Sequence, residues 1–338
     1  MNTIDKILEY LKGKKYASGK EISEFIGISR QAVNKHLKVL IRKGNVVKEG
    51  ITKGAVYKIA GKIKPAHRLR KRYVLKALEE DKVFKEVELL LNLRKNVRKN
   101  VYDIINYTFT EILNNAIEHS GSKNCDVEVI LDQYTYNFTI RDYGIGIFYS
   151  IHTKFDLSDE PSAIGELIKG KTTTLRETHT GEGVFFSSKS GDSVAFRSHK
   201  INLIFDNIKK DVFVEEKKFI KGTEVKFSIS RASKRNLEKI VKQYAPEEFD
   251  YRFERTRVIV KLFQKEYVSR SEARRLLVGL DKFKEIILDF KGVKSIGQGF
   301  ADEIFRVFKK QHSDIVIKAE NLNSIIALII NHVVDNKI

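Results

Sequence analysis

Apolar residues at the start of the chain recur every three or four positions, which is the spacing of amphipathic helices. The first predicted helix has its apolar face at Ile4, Ile7, Leu8 and Leu11. A second helix is predicted over residues 20–25, and a third over residues 30–42 behind an N-cap at Ser29. Two short apolar stretches, residues 45–48 and 55–59, then predict a hairpin.

In the middle of the chain, the spacing of the apolar residues changes from helical to alternating. A basic, helix-prone segment at residues 62–76 and a one-sided apolar run at 84–93 predict a helical linker, which could mediate dimerisation. Apolar positions at turn spacing then predict a long helix over residues 102–119. The alternating run at residues 136–140 predicts a strand that ends at Asp142.

From residue 257 onward, strands alternate with helices, a pattern typical of βα units. Strands are predicted at residues 258–262, 285–290 and 314–319. A capping-box sequence at Ser269 opens a helix that ends near Gly279, and further helices are predicted at 300–308 and 322–334. The pattern predicts a small αβ domain at the carboxyl-terminal end.

The positive charge is concentrated at one end of the chain. The 338 residues carry a formal net charge of +19, and residues 1–72 hold 19 lysines and arginines against five acidic residues. Such asymmetry indicates a polyanionic partner for the amino-terminal end. Cys125 is the only cysteine, which excludes an internal disulfide framework and a thiolate metal cluster.

The sequence gives no indication of a membrane segment. Lys6 and Glu9 interrupt the first apolar residues, so a secretory signal is not indicated. The longest late apolar run, residues 325–330, is far too short to cross a bilayer. We therefore expect a cytoplasmic protein.

The third predicted helix carries a polar face suited to double-stranded DNA. This face comprises Arg30, Gln31, Asn34, Lys35 and Lys38. Arginine pairs bidentately with guanine, and glutamine or asparagine with adenine. Three helices and a hairpin in this order resemble a winged helix-turn-helix domain of bacterial repressors. The resemblance implies that this face enters the major groove, with Lys48 and Lys53 on the wing near phosphate. The alternative is a domain that binds only protein.

A polar pair in the predicted helix 102–119 indicates a candidate site. Glu111 and Asn115 are four residues apart, so a helix places both on one face. Mg²⁺ prefers oxygen ligands, which the amide of Asn115 could supply. A carboxylate at Glu111 could orient or deprotonate a water molecule. The alternative is a solvated pair on a surface helix.

Glycines follow Asp142 at close intervals. Gly144 and Gly146 allow a turn with positive φ and a close approach of the backbone to a ligand. The ordered series of polar and glycine positions is completed by Gly181, Gly183, Gly222 and Thr223. An isolated Asp-x-Gly-x-Gly is usually only a turn, but here it follows the helical pair and a predicted strand.

With these residues, the region 85–230 resembles the GHKL ATPase family, which includes gyrase, MutL, histidine kinases and anti-sigma-factor serine kinases. The resemblance implies an α/β sandwich with a mainly antiparallel sheet that binds ATP and Mg²⁺. It makes Glu111 the water-activating base, Asn115 the Mg²⁺ ligand and Asp142 the residue that reads adenine. The glycines beside Asp142 and the threonine at 223 would support the base, and Gly181 and Gly183 match the end of the family's ATP lid.

A second nucleotide motif overlaps this region. Residues 165–172 satisfy the P-loop pattern G-x-x-x-x-G-K-[ST] letter for letter. A P-loop needs a buried strand before it and a helix after it, and the acidic segment 156–161 does not predict such a strand. Lys171 also lies where the GHKL family has its lid, so it could reach the phosphates from there. The P-loop remains the alternative.

Residues 286–299 resemble part of a STAS domain, the fold of anti-anti-sigma factors. In those factors, a serine at the start of a helix accepts phosphate from a GHKL kinase. The matching turn here, Gly297 to Gly299, has no hydroxyl at that place, and Ser295 lies earlier. We therefore expect a STAS-like module for docking or sensing, through which a protein partner could bind. The alternative is a small domain that only packs against its neighbours.

The sequence as a whole predicts an α/β (α+β) protein with four parts. These are a winged helix (1–62), a helical linker (63–100), a GHKL ATP-binding domain (101–232) and a STAS-like domain (255–338). His67, a candidate phosphoacceptor in the linker, is expected to be a surface residue instead. We expect a DNA-binding regulator that Mg-ATP binding or hydrolysis switches, with activity as an ATP hydrolase. The alternative is a GHKL serine kinase acting on a STAS-type partner.

Overall fold

The computed structural model describes residues 3–12, 14, 16–50, 55–60, 67–132, 135–157, 159–171, 182–262 and 267–335. Within these ranges the buried hydrophobic residues form three clusters, in amino-terminal, central and carboxyl-terminal positions. A sheet accompanies each cluster. The fold is mixed α and β, as predicted.

The amino-terminal domain consists of three helices and a small antiparallel sheet. Its elements are α1 (Thr3–Lys12), β1 (Ala17–Ser18), α2 (Gly19–Ile26), α3 (Arg30–Arg42), β2 (Val46–Glu49) and β3 (Val56–Ile59), with strand order β1-β3-β2. A capping box between Ser18 and Glu21 starts α2, and Gly27 ends it in the left-handed conformation. The Ser29 hydroxyl accepts a hydrogen bond from the Ala32 N–H and starts α3. The predicted helices and hairpin are confirmed.

The central domain is a five-stranded sheet with helices on one face. Its elements are β4 (His67–Val74), α4 (Glu80–Leu91), α5 (Leu93–Asn96), α6 (Lys99–His119), β5 (Asn124–Leu131), β6 (Thr135–Asp142), α7 (Ile147–Lys154), α8 (Glu160–Lys169), α9 (Gly183–Ser190), β7 (Ser193–Asp206) and β8 (Asp211–Ser230). The strand order is β4-β5-β6-β8-β7, and neighbouring strands are antiparallel. Burial alternates strictly along β5 and β6, so one face of the sheet forms the core.

The basic segment predicted as a helical linker is instead an edge strand. Residues 67–74 form β4, paired with β5 from His67↔Leu131 to Val74↔Asn124. Arg72 makes two hydrogen bonds to Asp126 across the pair, and Arg68 forms an ion pair with Glu128. Opposite charges facing each other on neighbouring strands stabilise a sheet. The expectation for this part of the linker was therefore wrong, whereas the helix predicted at 84–93 is present in α4.

The carboxyl-terminal module has a three-stranded parallel sheet. Its elements are α10 (Leu237–Tyr244), β9 (Arg255–Ile259), α11 (Arg270–Leu277), β10 (Glu285–Asp289), α12 (Gln298–Asp302), a π-helical segment (Glu303–Phe308), α13 (Lys309–Gln311), β11 (Val316–Glu320) and α14 (Ser324–Asp335). The order is β11-β10-β9, and the central strand β10 is buried along its whole length. The predicted alternation of strands and helices is confirmed, except that residues 260–262 form a 3₁₀ turn and not the end of the first strand.

The central domain and the carboxyl-terminal module share a helix. Phe185 and Phe186 of α9 are buried in the hydrophobic core of the module, next to Tyr244 and Phe253. The module core therefore includes side chains from before residue 232, where the central domain was predicted to end.

Candidate functional site

A cavity of about 430 Å³ lies between α6, the end of β6 and the start of α9. Its wall includes six of the residues predicted from the sequence. These are Glu111, Asn115, Asp142, Gly146, Gly183 and Thr223. Residues that are up to 112 positions apart in the chain therefore converge on one space, which has the size of a ligand pocket.

Asp142 is the buried carboxylate of this cavity. It ends β6 and is 5% exposed. Its Oδ1 atom accepts hydrogen bonds from the backbone N–H of Gly144 at 2.9 Å and of Thr223 at 3.2 Å. Burial raises the pKa of Asp142, although these N–H groups act in the opposite direction. The carboxylate is thus held in a fixed orientation but is poorly solvated.

Thr223 connects Asp142 to the loop that follows it. Its backbone N–H bonds Asp142, and its Oγ1 accepts a hydrogen bond from the Ile147 N–H at 2.9 Å. Ile147 begins α7, so the threonine holds the start of this helix against β8. Residues 222–223 therefore help to shape the loop around the Asp142 carboxylate.

Among the glycines in and beside this cavity, Gly144 and Gly183 leave the least room for a side chain. A Cβ atom on Gly144 would lie 1.8 Å from the carbonyl oxygen of Ser120. A Cβ atom on Gly183 would lie 1.8 Å from Oε2 of Glu111. Both distances are far below van der Waals contact, so a side chain at either position would displace the loop or the carboxylate.

Helix α6 presents Glu111 and Asn115 to the cavity, as their spacing predicted. The Asn115 Nδ2 atom donates a hydrogen bond to the backbone carbonyl oxygen of Glu111 at 2.7 Å. Because this bond uses the nitrogen of the amide, the amide oxygen takes no part in it. The Glu111 carboxylate lies against Gly183 at the first turn of α9, where backbone N–H groups favour negative charge. The Asn115 amide and the Glu111 carboxylate thus belong to one polar region of the cavity wall.

Tyr107 and Glu182 are cavity residues that were not among the candidates predicted from the sequence. Tyr107 precedes Glu111 by one helical turn, and Glu182 lies between the two glycines of the Gly-Glu-Gly segment. Burial, together with the charges of Glu111 and Glu182, raises the pKa of the Tyr107 hydroxyl. Burial also raises the pKa of Glu182. The helical spacing of Tyr107 and Glu111 was a usable signal, since residues four apart share a face.

Lys171 does not lie in the cavity wall. Its ammonium group donates to Oε2 of Glu254 at 3.1 Å and to the carbonyl oxygen of Lys282 at 3.0 Å, both in the carboxyl-terminal module. It also lies 4.9 Å from the centre of the Phe283 ring. Gly181, the other predicted residue of this part of the chain, lies outside the described residues.

The P-loop interpretation does not agree with the fold. Residues 165–169 belong to helix α8, which Asp159 caps and which begins without a preceding buried strand. Lys169 is 1% exposed, and its ammonium group donates to Glu166 and to the carbonyl oxygen of Val278. A P-loop requires a loop with free backbone N–H groups between strand and helix, so this alternative is wrong.

The predicted DNA-reading face of α3 is exposed. Arg30, Gln31, Asn34, Lys35 and Lys38 are all open to solvent, while Val33, Leu37 and Leu40 are buried on the opposite side. Desolvation and repulsion from Lys38 lower the pKa of Lys48 on β2. Lys48 on the wing and Lys38 on α3 thus lie close enough to repel each other, which a phosphate would relieve. Lys53 lies outside the described residues.

Two further findings concern metal and membrane. Within the described ranges, no group of three or more His, Cys, Asp or Glu residues is arranged to hold a metal ion. A cation next to Asn115 would therefore need oxygens from a ligand and from water to complete its shell. Among the helices of the same ranges, none has the length and apolar character needed to cross a bilayer.

Two family models match parts of the chain. Residues 1–46 match the model described as winged helix-turn-helix DNA-binding. Residues 272–327 match the STAS-like domain of unknown function (DUF4325). Neither match extends over the central cavity, and no curated protein matches the chain. The amino-terminal domain is a winged helix-turn-helix of the DNA-binding type, and the carboxyl-terminal module is STAS-like.

Proposed function

We propose that the central cavity binds ATP with Mg²⁺, and that the chain is a DNA-binding regulator whose state depends on this ligand. The observation that carries the proposal is the buried carboxylate of Asp142 in the cavity wall, bonded to Thr223. A buried carboxylate is unfavourable unless hydrogen-bond donors surround it. The exocyclic amine of adenine is a donor of suitable shape, and it would complete the set that Gly144 and Thr223 begin.

Near α6 and α9 the cavity would bind the Mg²⁺ ion and the phosphate groups of the ligand. Asn115 would hold Mg²⁺ through its amide oxygen, while phosphate oxygens and water supply the remaining ligands. The first turn of α9, at Gly183, would bind phosphate oxygens through backbone N–H groups. Glu111 would then move away from this turn and orient the water molecule that attacks the terminal phosphate.

The winged helix supports a role in DNA-linked regulation. Its match to a DNA-binding family and the exposed polar face of α3 support binding to double-stranded DNA. A nucleotide site in the same chain then suggests that ligand binding or hydrolysis alters the DNA-bound state. The regulated sequence would be read by Arg30, Gln31, Asn34 and Lys35.

Isothermal titration of the full chain with a nonhydrolysable ATP analogue and Mg²⁺ tests the nucleotide site. Wild type is expected to bind, and Asp142→Ala is expected to lose binding because the adenine amine loses its acceptor. Asp126→Ala is the matched control, since Asp126 lies on the neighbouring strand, outside the cavity, and pairs with Arg72. Equal affinity in wild type and Asp142→Ala would reject the proposal.

Incubation with γ-labelled ATP separates hydrolysis from a serine-kinase activity on a STAS-type partner. Free phosphate favours the hydrolytic switch, and label on protein favours the kinase. Transfer to the chain's own module at the turn into α12 is not expected. A Cβ atom on Gly297 would lie 2.4 Å from the carbonyl oxygen of Val268, so no hydroxyl side chain fits there.

A further inference from the structure

Helix α9 belongs to two structural units at once. Gly183 and Val184 line the cavity, as does Glu182 just before them. Phe185 also lines the cavity, yet it is 1% exposed and forms part of the module core. A single residue thus belongs both to the wall of the candidate nucleotide site and to the interior of the STAS-like module.

The aromatic contacts of α9 show how closely the module is built around it. The Phe185 ring lies 4.6 Å from the Phe253 ring and 4.9 Å from the Tyr244 ring. Phe186 lies 5.2 Å from Phe253, which in turn lies 5.4 Å from Phe283. These separations are typical of packed aromatic pairs. The module core therefore depends on α9 for two of its large side chains.

The end of α8 is attached to the same part of the module. The Thr256 hydroxyl of β9 donates to the carbonyl oxygen of Lys169, whose ammonium group donates to the Val278 carbonyl. A Cβ atom on Gly170 would lie 2.7 Å from Phe253 and 2.8 Å from Phe185. Both α8 and α9 are thus in tight contact with the module.

Tyr107 provides a third connection. It lies on α6, lines the cavity and packs against the module core. Protein interiors are close-packed and transmit small displacements. A ligand that moves the Glu111 carboxylate away from Gly183 would therefore act on α9, and α9 cannot shift without repacking the module.

We propose that α9 links the cavity and the STAS-like module energetically. A nucleotide in the cavity stabilises the packing of the module, and a change that loosens the module around α9 weakens nucleotide binding. The two effects are equal, because a coupling free energy between two sites is reciprocal. This inference rests on the proposed function, since it requires that the cavity takes a nucleotide.

Hydrogen–deuterium exchange of the full chain, with and without a nonhydrolysable ATP analogue and Mg²⁺, tests the link. We expect the analogue to slow exchange in β10 and α11, neither of which lines the cavity. Phe186→Leu should abolish this protection and weaken analogue binding by about fivefold or more. Phe186 lies outside the cavity wall, so a direct loss of ligand contact is not the cause.

Phe84→Leu is the matched control, because Phe84 is a buried core residue of α4 that lies outside both the cavity wall and the module core. It should leave analogue affinity and module protection unchanged. If Phe186→Leu does not fold, Thr256→Val replaces it, since it removes the bond to Lys169 with little change in shape. Its module protection should also fall.

The outcomes separate the two proposals. Binding of the analogue to wild type without any change of exchange in β10 and α11 overturns the link and leaves the nucleotide site standing. Equal loss of affinity in Phe186→Leu and Phe84→Leu also overturns it, because general destabilisation would explain both. Absence of any binding to wild type removes the nucleotide site, and the link with it.

Discussion

The buried Asp142 carboxylate is expected to favour ligand binding, but to lower the stability of the ligand-free protein. Two backbone N–H groups bond its Oδ1 atom, but burial still raises its pKa above the ordinary value. A carboxylate in this state is under-solvated before any ligand arrives. A residue that serves only the fold would be better replaced by a neutral side chain of the same shape.

Asp142→Asn is therefore expected to stabilise the ligand-free protein while it weakens ATP binding. Asparagine keeps an acceptor for Gly144 and Thr223 without the buried charge, and a rise of a few degrees in melting temperature is expected near pH 7. Thermal unfolding by circular dichroism measures it. If Asp142→Asn melts at the wild-type temperature or below it at neutral pH, the buried charge does not destabilise the protein as expected.

The pH dependence of this difference follows from the direction of the pKa shift. Because the folded-state pKa of Asp142 is raised, its contribution to stability is complete below the unfolded-state value and is lost as pH rises through the folded-state value. The advantage of asparagine should therefore be largest at neutral pH and should disappear as pH falls to about 4. Melting curves of both proteins across this range provide the check.

Glu111 is expected to act in turnover more than in binding. Glu111→Gln keeps the size of the side chain but removes its basicity, so ATP hydrolysis should fall by about 10²- to 10⁴-fold with binding retained. Release of phosphate and titration with ATP measure the two properties separately. Glu118→Gln, an exposed position of the same helix, is the control and should hydrolyse ATP at the wild-type rate. Undiminished turnover in Glu111→Gln would exclude the role as base.

At the scale of elements, α3 has a buried apolar face and an exposed polar face. Its buried residues are held in the core of the amino-terminal domain, while its cationic and amide residues are open to solvent. The Ser29 cap fixes where the helix begins and so places Arg30 and Gln31 in its first turn. The first turns of a recognition helix are the part that contacts bases in helix-turn-helix proteins.

Lys38→Ala is expected to reduce the salt dependence of DNA binding. Each phosphate contact that is lost lowers the slope of log affinity against log salt by about 0.9. Fluorescence anisotropy with a random DNA duplex at several salt concentrations measures this slope. Lys6→Ala, on the exposed side of α1, serves as the control and should leave the slope unchanged. Equal slopes in Lys38→Ala and wild type would place Lys38 away from the phosphates.

At the scale of the whole molecule, the lysine of a buried ion pair within α8 bonds the central domain to the module. Lys169 and Glu166 are both buried, and the lysine also bonds the Val278 carbonyl across the junction. Desolvation lowers the pKa of Lys169, while Glu166 opposes this effect. Such a pair contributes little compared with an apolar pair of the same shape, but removing one partner takes away an attraction that offsets the cost of burying the other.

Lys169→Met should therefore destabilise the chain by about 3–5 kcal/mol, because Glu166 loses its bonded cation. The double variant Lys169→Met with Glu166→Gln should recover much of this loss. Urea unfolding measures both free energies. Lys242→Met, which breaks an exposed pair with Glu238, is the control and should leave stability unchanged. A double variant as unstable as the single one would show that the junction depends on the lysine itself.

The sequence by itself determined the local features of this protein. Helix periodicity and caps placed α1 to α3 and the long helix α6, and the four-residue spacing of Glu111 and Asn115 put both in one cavity. These features depend on neighbours within one or two turns, so a single sequence contains the information. The order of Asp142 and its glycines also indicated a strand that ends at a close-approach loop.

Only the tertiary structure decided where the distant partners lie. Residues 67–74 are rich in helix-forming lysine and arginine, yet they form a strand because Asp126 and Glu128 face them from β5. Lys171 points to Glu254 of the module, 83 residues away, and not into the cavity. Phe185 and Phe186 complete a core formed mostly after residue 240. Each outcome depends on contacts between segments far apart in the chain, which local spacing and propensity do not encode.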